Sequence, residues 1–273
     1  MGELAQVNGS HAGGAVITGA AGGIGQALAH ALVHEGHPAL LVGRDESRLQ
    51  ALQASLRAAH PGCFVAYVVA DLNEQSGRDA VAQAVVADKR WSMLVNNAGT
   101  SEFHSFETQT AQRIEYIIQT NLVSPMLLVQ QALPALLGRA DAQIINIGSV
   151  FGDIGYPGFS TYCASKFGLR GFTQALRREL SDTPLRVRWF APRATQTSMN
   201  TAAVVNMNNA LKTKADTPEH VADLFIEFLH SDRNEMVIGW PEKLFVFINR
   251  IRSAITDGAI GGQLAVIRKY MPR

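Results

Sequence analysis

Residues 15–25 read AVITGAAGGIG, a short apolar run followed by a turn that contains four glycines. The run Ala15–Thr18 predicts a buried strand, and the residues after the turn predict a helix over Ile24–Glu35. Glycines at positions 19, 23 and 25 permit a tight turn and a close approach of the backbone to a phosphate group. The spacing differs from the usual G-x-G-x-x-G fingerprint, but the strand–turn–helix context still favours a dinucleotide-phosphate site.

The same alternation of short apolar runs and longer amphipathic segments continues along the chain. The predicted strands are Ala15–Thr18, Ala39–Val42, Phe64–Val69, Met93–Asn96, Ile144–Ile147, Val187–Phe190 and Met236–Ile238. The predicted helices are Ile24–Glu35, Glu46–Ala59, Glu74–Ala87, Thr108–Leu137, Thr161–Ser181 and Pro218–Leu229. Apolar strands that alternate with helices predict an α/β fold, a Rossmann-type doubly wound, seven-stranded parallel sheet with helices on both faces. We expect one domain over residues 1–273, with 1–12 as a loose leader and 240–273 as a C-terminal extension.

Composition narrows the possible functions of the chain. Its 273 residues are 47% hydrophobic and 17% charged, which is typical of a soluble globular protein. The net charge is +1 and no basic stripe is visible, so we expect no nucleic-acid partner. Two cysteines, Cys63 and Cys163, indicate a reducing compartment, and we expect a cytoplasmic protein. The sequence shows neither metal-ligand spacing nor an apolar run of the ~20 residues that span a bilayer, so no metal site is expected.

The second predicted strand is followed by Gly43 and Arg44. A site for NAD would carry an acidic residue near this position, to bind the ribose 2′-hydroxyl. Arg44 instead supplies a planar cation suited to a 2′-phosphate, and Gly43 leaves room for it. This favours NADP(H) over NAD(H), although a solvated arginine at a strand end is the alternative.

Tyr162 and Lys166 are four residues apart on a predicted helix and therefore share a face. A neighbouring ammonium group should lower the pKa of the phenol, so that Tyr162 could give a proton to a carbonyl oxygen or take one from an alcohol. Such a pair also arises by chance on helices. Other motifs in the sequence strengthen the catalytic interpretation. Ser149 ends a predicted strand at the carboxyl edge of the sheet, where ligands bind, and Asn96–Gly99 and Asn121 are also present.

Taken in order, these segments resemble the short-chain dehydrogenase/reductase family over about residues 13–240. The matching pieces are Thr18–Gly25, Asp71-Leu72, Asn96–Gly99, Asn121, Ser149, Tyr162 and Lys166. The resemblance implies an NADPH-dependent carbonyl reductase or alcohol dehydrogenase that acts on a ketone or aldehyde, with an apolar or acyl-chain substrate as a special case. It also implies a homodimer or homotetramer. The alternative is a non-catalytic dinucleotide-binding sensor or scaffold on the same fold.

The resemblance implies a role for each residue of the site. Ser149 would hold the substrate carbonyl oxygen, and Tyr162 would be the proton donor or acceptor. Lys166 would bind the nicotinamide ribose and lower the pKa of Tyr162, while Asn121 would hold a water that links Lys166 to solvent. The residues implied along the cofactor are Gly19, Gly23, Ile24, Gly25, Arg44, Asp71, Leu72, Asn97, Gly99, Tyr162, Lys166, Pro192, Thr195 and Thr197.

One segment departs from the family pattern after the sixth strand. The chain has Arg193 where the family usually has glycine, although Pro192 and Thr197 fit. The backbone there must avoid conformations that only glycine tolerates. The guanidinium could meet solvent, a cofactor phosphate or an acidic substrate, and we expect solvent.

Substrate choice is expected to lie in two segments rich in apolar side chains, residues 150–159 and 198–216. Their apolar residues are Phe151, Ile154, Tyr156, Phe159, Met199, Val204, Val205, Met207 and Leu211. The second segment has the character of a lid.

The C-terminal extension has an apolar stripe of its own. A helix over Glu242–Thr256 would align Leu244, Ile248, Ile251 and Ile255, and a second apolar patch covers Leu264–Met271. The stripe could cover the protein's own core or a second subunit, which the glycines that interrupt the extension favour. It could also meet a membrane or a lipid-like substrate.

Overall fold

The computed structural model describes residues 13–272 and contains one sheet of seven parallel strands. The strands are β1 (Gly14–Thr18), β2 (Ala39–Gly43), β3 (Val65–Val69), β4 (Trp91–Asn96), β5 (Gln143–Ile147), β6 (Arg186–Ala191) and β7 (Glu235–Val237). Their order across the sheet is β3-β2-β1-β4-β5-β6-β7. The predicted fold class is therefore confirmed. The expected leader, residues 1–12, lies outside the described residues.

Helices cover both faces of this sheet. They are α1 (Gly23–His34), α2 (Glu46–Ala59), α3 (Gln75–Ala87), α4 (Ala111–Ile118), α5 (Ser124–Leu137), α6 (Ser160–Glu179), α7 (Ala202–Ala210), α8 (Pro218–Leu229), α9 (Glu242–Ile251), α10 (Ser253–Gly261) and α11 (Leu264–Tyr270). Ala15 and Ile17 of β1 pack with α1, α2 and α8, whereas Val16 packs with α3, α5 and α6. Because successive strand residues point to opposite faces of the sheet, an unbroken apolar run contributes side chains to the hydrophobic cores on both faces.

The predicted helix over Thr108–Leu137 is wrong as a single element. It is divided into α4 and α5 by a π-helical turn at Gln119–Val123. Pro125 has no amide hydrogen and cannot donate to the carbonyl of Asn121, four residues before it, which accounts for the interruption. Asn121, a predicted site residue, lies inside this turn and is fully buried.

The order of the strands reverses between β1 and β4, and doubly wound sheets bind ligands at such a point. Thr18 ends β1 here, and its Oγ1 accepts hydrogen bonds from the amides of Asn97 (2.9 Å) and Ala98 (3.0 Å) just after β4. These bonds hold the glycine-rich turn against the Asn96–Gly99 segment. The two motifs thus meet at the carboxyl edge of the sheet.

The C-terminal extension forms three short helices with different surroundings. In α11, Ile267 is completely buried and packs with Phe103, Phe159 and Met207. In α9, only Val246 is buried, while most of the predicted stripe stays exposed. The protein's own core therefore covers the second apolar patch but not the first. Among the residues described, no helix is both long enough and apolar enough to cross a membrane.

Candidate active site

The glycine-rich turn has room only for glycine at its closest points. Gly19 has φ +64°, and a Cβ at Gly25 would lie 2.2 Å from the carbonyl oxygen of Gly19. Helix α1 starts beyond this turn and has no side-chain cap at its N-terminus. Its first amides are therefore available to an anion at the sheet edge, an arrangement that fits a cofactor pyrophosphate.

Two further motif residues shape the space beside this turn. The Nδ2 of Asn97 donates to the carbonyl oxygens of Thr18 (3.0 Å) and Gly19 (3.2 Å), so its side chain fastens the turn. A Cβ at Gly99 would lie 3.3 Å from Asn121 Oδ1 and 3.7 Å from Lys166 Nζ. Glycine at position 99 thus keeps open a space that borders both side chains.

Arg44 lies exposed at the end of β2, beside the glycine-rich turn. Its Nη1 donates to the hydroxyl of Tyr116 (2.9 Å) and lies 3.6 Å from Asp71 Oδ2, which brings two predicted cofactor residues together. Arg48, which sequence reasoning missed, also points to this corner and donates to the carbonyl oxygen of Ala21 (2.6 Å). Arg48 follows Arg44 by four residues, in the first turn of α2, and this spacing was the signal that the sequence offered. Arg44 and Arg48 therefore both lie near the glycine-rich turn, Arg48 through its hydrogen bond to Ala21.

The predicted catalytic pair is on α6. Tyr162 retains some exposed surface, whereas Lys166 is buried, with its Nζ 5.9 Å from the centre of the Tyr162 ring. The Nζ donates to the carbonyl oxygen of Ile147 at 2.9 Å, at the end of β5. Ser149 follows β5, and its Oγ accepts from the amide of Phe151 at 3.1 Å.

The predicted fall in the pKa of Tyr162 does not occur in the protein alone. Burial raises the pKa of Tyr162 to about 12, and a hydrogen bond with Ser149 opposes this only in part. Burial also lowers the pKa of Lys166 to about 8, because a charged ammonium is poorly solvated there. At neutral pH Tyr162 therefore keeps its proton, as a general acid requires.

Asn121 uses its whole side chain to hold the protein together. Its Oδ1 accepts from the amide of Thr100 (2.8 Å), and its Nδ2 donates to the carbonyl of Thr100 (2.8 Å) and to Ser165 Oγ (3.0 Å). The side chain thus links the loop after β4 to α6. Both donors of the side chain are thus occupied, and a water at Asn121 would bind an acceptor, either the second lone pair of Oδ1 or the main-chain carbonyl, which Pro125 leaves without the usual helical donor.

A cavity of about 440 Å³ joins Tyr162 and Ser149 to the cofactor end. Ile24, Ser149, Tyr162, Pro192, Thr195 and Thr197 all line it. So do Phe151, Ile154, Tyr156, Phe159, Met199, Val204 and Met207 from the two segments predicted to choose the substrate. Val205 and Leu211 are not part of this wall. The extension also lines it, through residues that include Trp240, Phe245 and Ile260, a contribution that the sequence did not reveal.

The expectation that Arg193 meets solvent is wrong. Its side chain is 7% exposed and forms a two-pronged ion pair with Asp216, with an Nη2–Oδ1 distance of 2.6 Å and an Nε–Oδ2 distance of 2.8 Å. A second ion pair joins it to Glu242 of α9 at 3.2 Å. Arg193 therefore ties the segment after β6 to the C-terminal extension, next to Thr195 and Thr197.

Comparison with known proteins agrees with this geometry. A sequence model described as short chain dehydrogenase matches residues 14–208. An acetoacetyl-CoA reductase of Acinetobacter sp. is 35% identical over 192 residues, which is 69% of this chain and 76% of that protein. The chain belongs to the short-chain dehydrogenase family. It is thus an NAD(P)-dependent oxidoreductase, and the sequence resemblance is confirmed.

Two other members of the short-chain dehydrogenase family add to this comparison. A short-chain dehydrogenase from Sphingobium yanoikuyae, solved in complex with NADPH, is 31% identical with a TM-score of 0.74, covering 93% of this chain and 96% of that one. A 3-dehydrosphinganine reductase of Arabidopsis thaliana is 34% identical over 184 residues, which is 66% of this chain and 54% of that protein.

The ion pair of Arg193 leads to a prediction about stability within this short-chain dehydrogenase. Replacing Arg193 with alanine leaves the Asp216 carboxylate without its ion-pair partner, although the Asp216 side chain is only 3% exposed. We expect the free energy of unfolding, measured in urea, to fall by about 1–3 kcal/mol. In the double variant with Asp216→Asn much of this loss should be recovered, since the isolated charge is gone. Additive effects of the two substitutions would contradict the assignment.

Proposed function

We propose that this chain is an NADPH-dependent carbonyl reductase whose general acid is Tyr162. The observation that supports this most is the shared cavity, which has Tyr162 and Ser149 in one wall and reaches Ile24 at the start of α1. NADPH, when bound, supplies the hydride. The pyrophosphate would lie at the uncapped start of α1, held by Gly19, Gly23, Ile24 and Gly25.

In the proposed mechanism each residue acts on a defined group. Ser149 holds the carbonyl oxygen of the substrate, and Tyr162 gives this oxygen its proton as negative charge develops there. Lys166 orients the ribose of the nicotinamide, and its charge stabilises the phenolate that Tyr162 leaves behind. Asn121 keeps α6 in register with the loop after β4, through Ser165 and Thr100.

The substrate would be an apolar ketone, and an acyl-chain ketone fits best. The side chains Phe151, Phe159, Val204 and Met207 give the cavity an apolar wall. Relatives named for the reduction of acetoacetyl-CoA and of 3-dehydrosphinganine support a keto substrate. A sensor or scaffold would have no need for a buried lysine one helical turn from a tyrosine in the cavity wall.

Oxidation of NADPH in the presence of a panel of carbonyl compounds tests this function. The panel should hold matched pairs of short and long-chain ketones and the corresponding aldehydes. We expect the highest kcat/KM with a long apolar ketone and no oxidation without a carbonyl compound. Tight NADPH binding with no turnover on any member of the panel would instead support the non-catalytic sensor.

Cofactor choice gives a second prediction, which rests on Arg44. A charge-assisted contact between its guanidinium and a 2′-phosphate is worth about 1.5–3 kcal/mol, so the wild type should prefer NADPH to NADH by about tenfold or more. In Gly43→Asp/Arg44→Ala the preference should shift towards NADH. The new carboxylate fits, since a Cβ at Gly43 meets only Leu49, at 3.4 Å. Equal wild-type affinity for both cofactors would contradict the assignment.

We propose in addition that the enzyme works in the cytoplasm as a homodimer or homotetramer. The absence of a disulfide among the described residues, where Cys63 and Cys163 are free, is consistent with a reducing compartment. Exposed Met126 on α5 and Phe167 on α6 are apolar surface that a subunit could cover. Light scattering on the purified protein gives the mass directly.

A further inference from the structure

Helix α9 is amphipathic, but several of its polar side chains face the protein and most of its large apolar side chains face away from it. Asn249 donates to the carbonyl of Asp153 (2.8 Å), Arg250 pairs with the Asp153 carboxylate (2.8 Å), and Glu242 pairs with Arg193. The opposite face carries Leu244, Phe247, Ile248 and Ile251, at the spacing of a helical stripe. Polar contacts thus hold α9 in place while its apolar stripe points away from the core.

The exposed fractions show how little of this stripe the protein covers. Leu244 is 44% exposed, Phe247 59% and Ile251 70%. The apolar surface continues into neighbouring residues, and we call the whole set the outer patch: Trp240, Leu244, Phe245, Phe247, Ile251 and Ile255. Soluble proteins seldom leave so many large apolar side chains exposed together, and such patches mark contact with a partner or a membrane.

The unpaired charges around the outer patch are mostly basic. Lys243 and Arg252 flank the stripe in sequence, Lys212 and Lys214 line the cavity, and Arg268 and Lys269 lie further along the extension on α11; all are exposed, and within residues 13–272 none forms an ion pair. Within residues 240–272 the acids are Glu242, which pairs with Arg193, and Asp257 on α10, while Asp153, Asp216 and Glu235 nearby are paired with arginines. Since the chain has a net charge of only +1, this concentration of cations is local and suits an anionic surface.

The position of the cavity decides between the possible occupants. Trp240 and Phe245 of the outer patch line it together with Lys212 and Lys214, so the cavity borders the patch. A second copy of the chain seated here would cover this side of the cavity. A bilayer surface would instead bring an apolar substrate to it, with the stripe in the acyl region, Trp240 at the interface and the lysines at the headgroups.

We propose that the outer patch docks on the surface of an anionic lipid bilayer and that the cavity takes its carbonyl substrate from that bilayer. The second part rests on the proposed reductase function. The helix lies in the interface and does not span the membrane, so the catalytic domain stays in water where NADPH is supplied. The substrate would be a ketone on a lipid or a free acyl chain.

Co-sedimentation of the full chain with vesicles tests the docking. One set of vesicles contains phosphatidylglycerol and phosphatidylcholine in equal parts, and the other contains phosphatidylcholine alone. Several lysines and arginines attract an anionic surface together, so binding to the anionic vesicles should be at least ~10-fold tighter than to phosphatidylcholine alone and should weaken with salt. Phe247→Asp/Ile251→Asp should lower this binding at least ~10-fold. Val86→Asp, at a 61% exposed position on α3, is the matched control and should leave it unchanged.

Reductase activity separates failure of this inference from failure of the proposed function. Neither Phe247 nor Ile251 lines the cavity, so the double variant should keep wild-type turnover on a water-soluble ketone. Turnover of that ketone without vesicle binding would overturn the docking alone, whereas vesicle binding without turnover of any ketone would overturn the function. A dimer in light scattering that the double variant dissociates would assign the outer patch to a second copy and contradict the proposal.

Discussion

Tyr162→Phe should lower turnover of a good ketone substrate by at least ~100-fold, because it removes the general acid and little else. The phenylalanine ring keeps the packing of Tyr162 with Phe151 and Phe159, whose ring centres lie 6.4 Å away. NADPH affinity, measured by fluorescence titration, should change by less than about threefold. The loss should therefore appear in kcat.

The neighbouring aromatic residue gives a control for this variant. Tyr156→Phe removes a phenol from the same cavity, but one that we do not assign to proton transfer. It should keep turnover within a few-fold of wild type. Near-wild-type turnover of Tyr162→Phe, or equal losses in the two variants, would show that Tyr162 is not the acid.

Lys166→Met should also lower turnover by ~100-fold or more, yet it should make the protein more stable at neutral pH. The buried ammonium is poorly solvated, and its pKa of about 8 compares with 10.5 for a free lysine. Folding therefore carries a penalty of at most about 3 kcal/mol below pH 8, where Lys166 is charged in both states. The methionine keeps the length of the side chain and removes this penalty, but it also loses the hydrogen bond to the carbonyl of Ile147 (2.9 Å), so the net gain should be smaller than the penalty.

The pH dependence of this gain checks its cause. In the wild type the penalty shrinks as pH rises from 8, where folded Lys166 loses its proton, and it ends near 10.5, where the unfolded chain loses it too. The gain in melting temperature should thus be largest below pH 8 and fall steadily above it. A constant gain, or a lower melting temperature at pH 7, would contradict the account.

The sheet was predictable because most strands are apolar runs, although β5 and β6 contain the buried polar residues Asn146 and Arg188, and because the segments between the strands have helical periodicity. Ala15–Thr18 and the glycines after it give β1, the turn and α1 without knowledge of the rest of the chain. The π turn in the predicted long helix depends on Pro125, whose effect on the carbonyl of Asn121 appears only once the helix exists. The local sequence pattern therefore predicted the strands and most helices, but it missed the π-helical turn within the predicted long helix.

The candidate site was predictable as a set of residues but not in its energetics. The sequence places Tyr162 and Lys166 on one helix face, and it cannot say how deeply they are buried. Burial dominates here, so the pKa of Tyr162 rises where a lowered value was expected. Likewise, Arg193 reads as a solvent-exposed replacement of glycine, because its partners Asp216 and Glu242 are 23 and 49 residues away. Long-range pairs of this kind leave no periodic signal.

Transfer of deuterium from NADPH labelled at C4 of the nicotinamide tests the central claim most directly. The wild-type protein, the deuterium-labelled NADPH and a long-chain ketone are incubated together, and the product is analysed by mass spectrometry. The account predicts an alcohol with deuterium on its carbinol carbon, formed by wild type and Tyr156→Phe and reduced at least ~100-fold with Tyr162→Phe. Bound NADPH with no labelled alcohol from any ketone or aldehyde of the panel would contradict it.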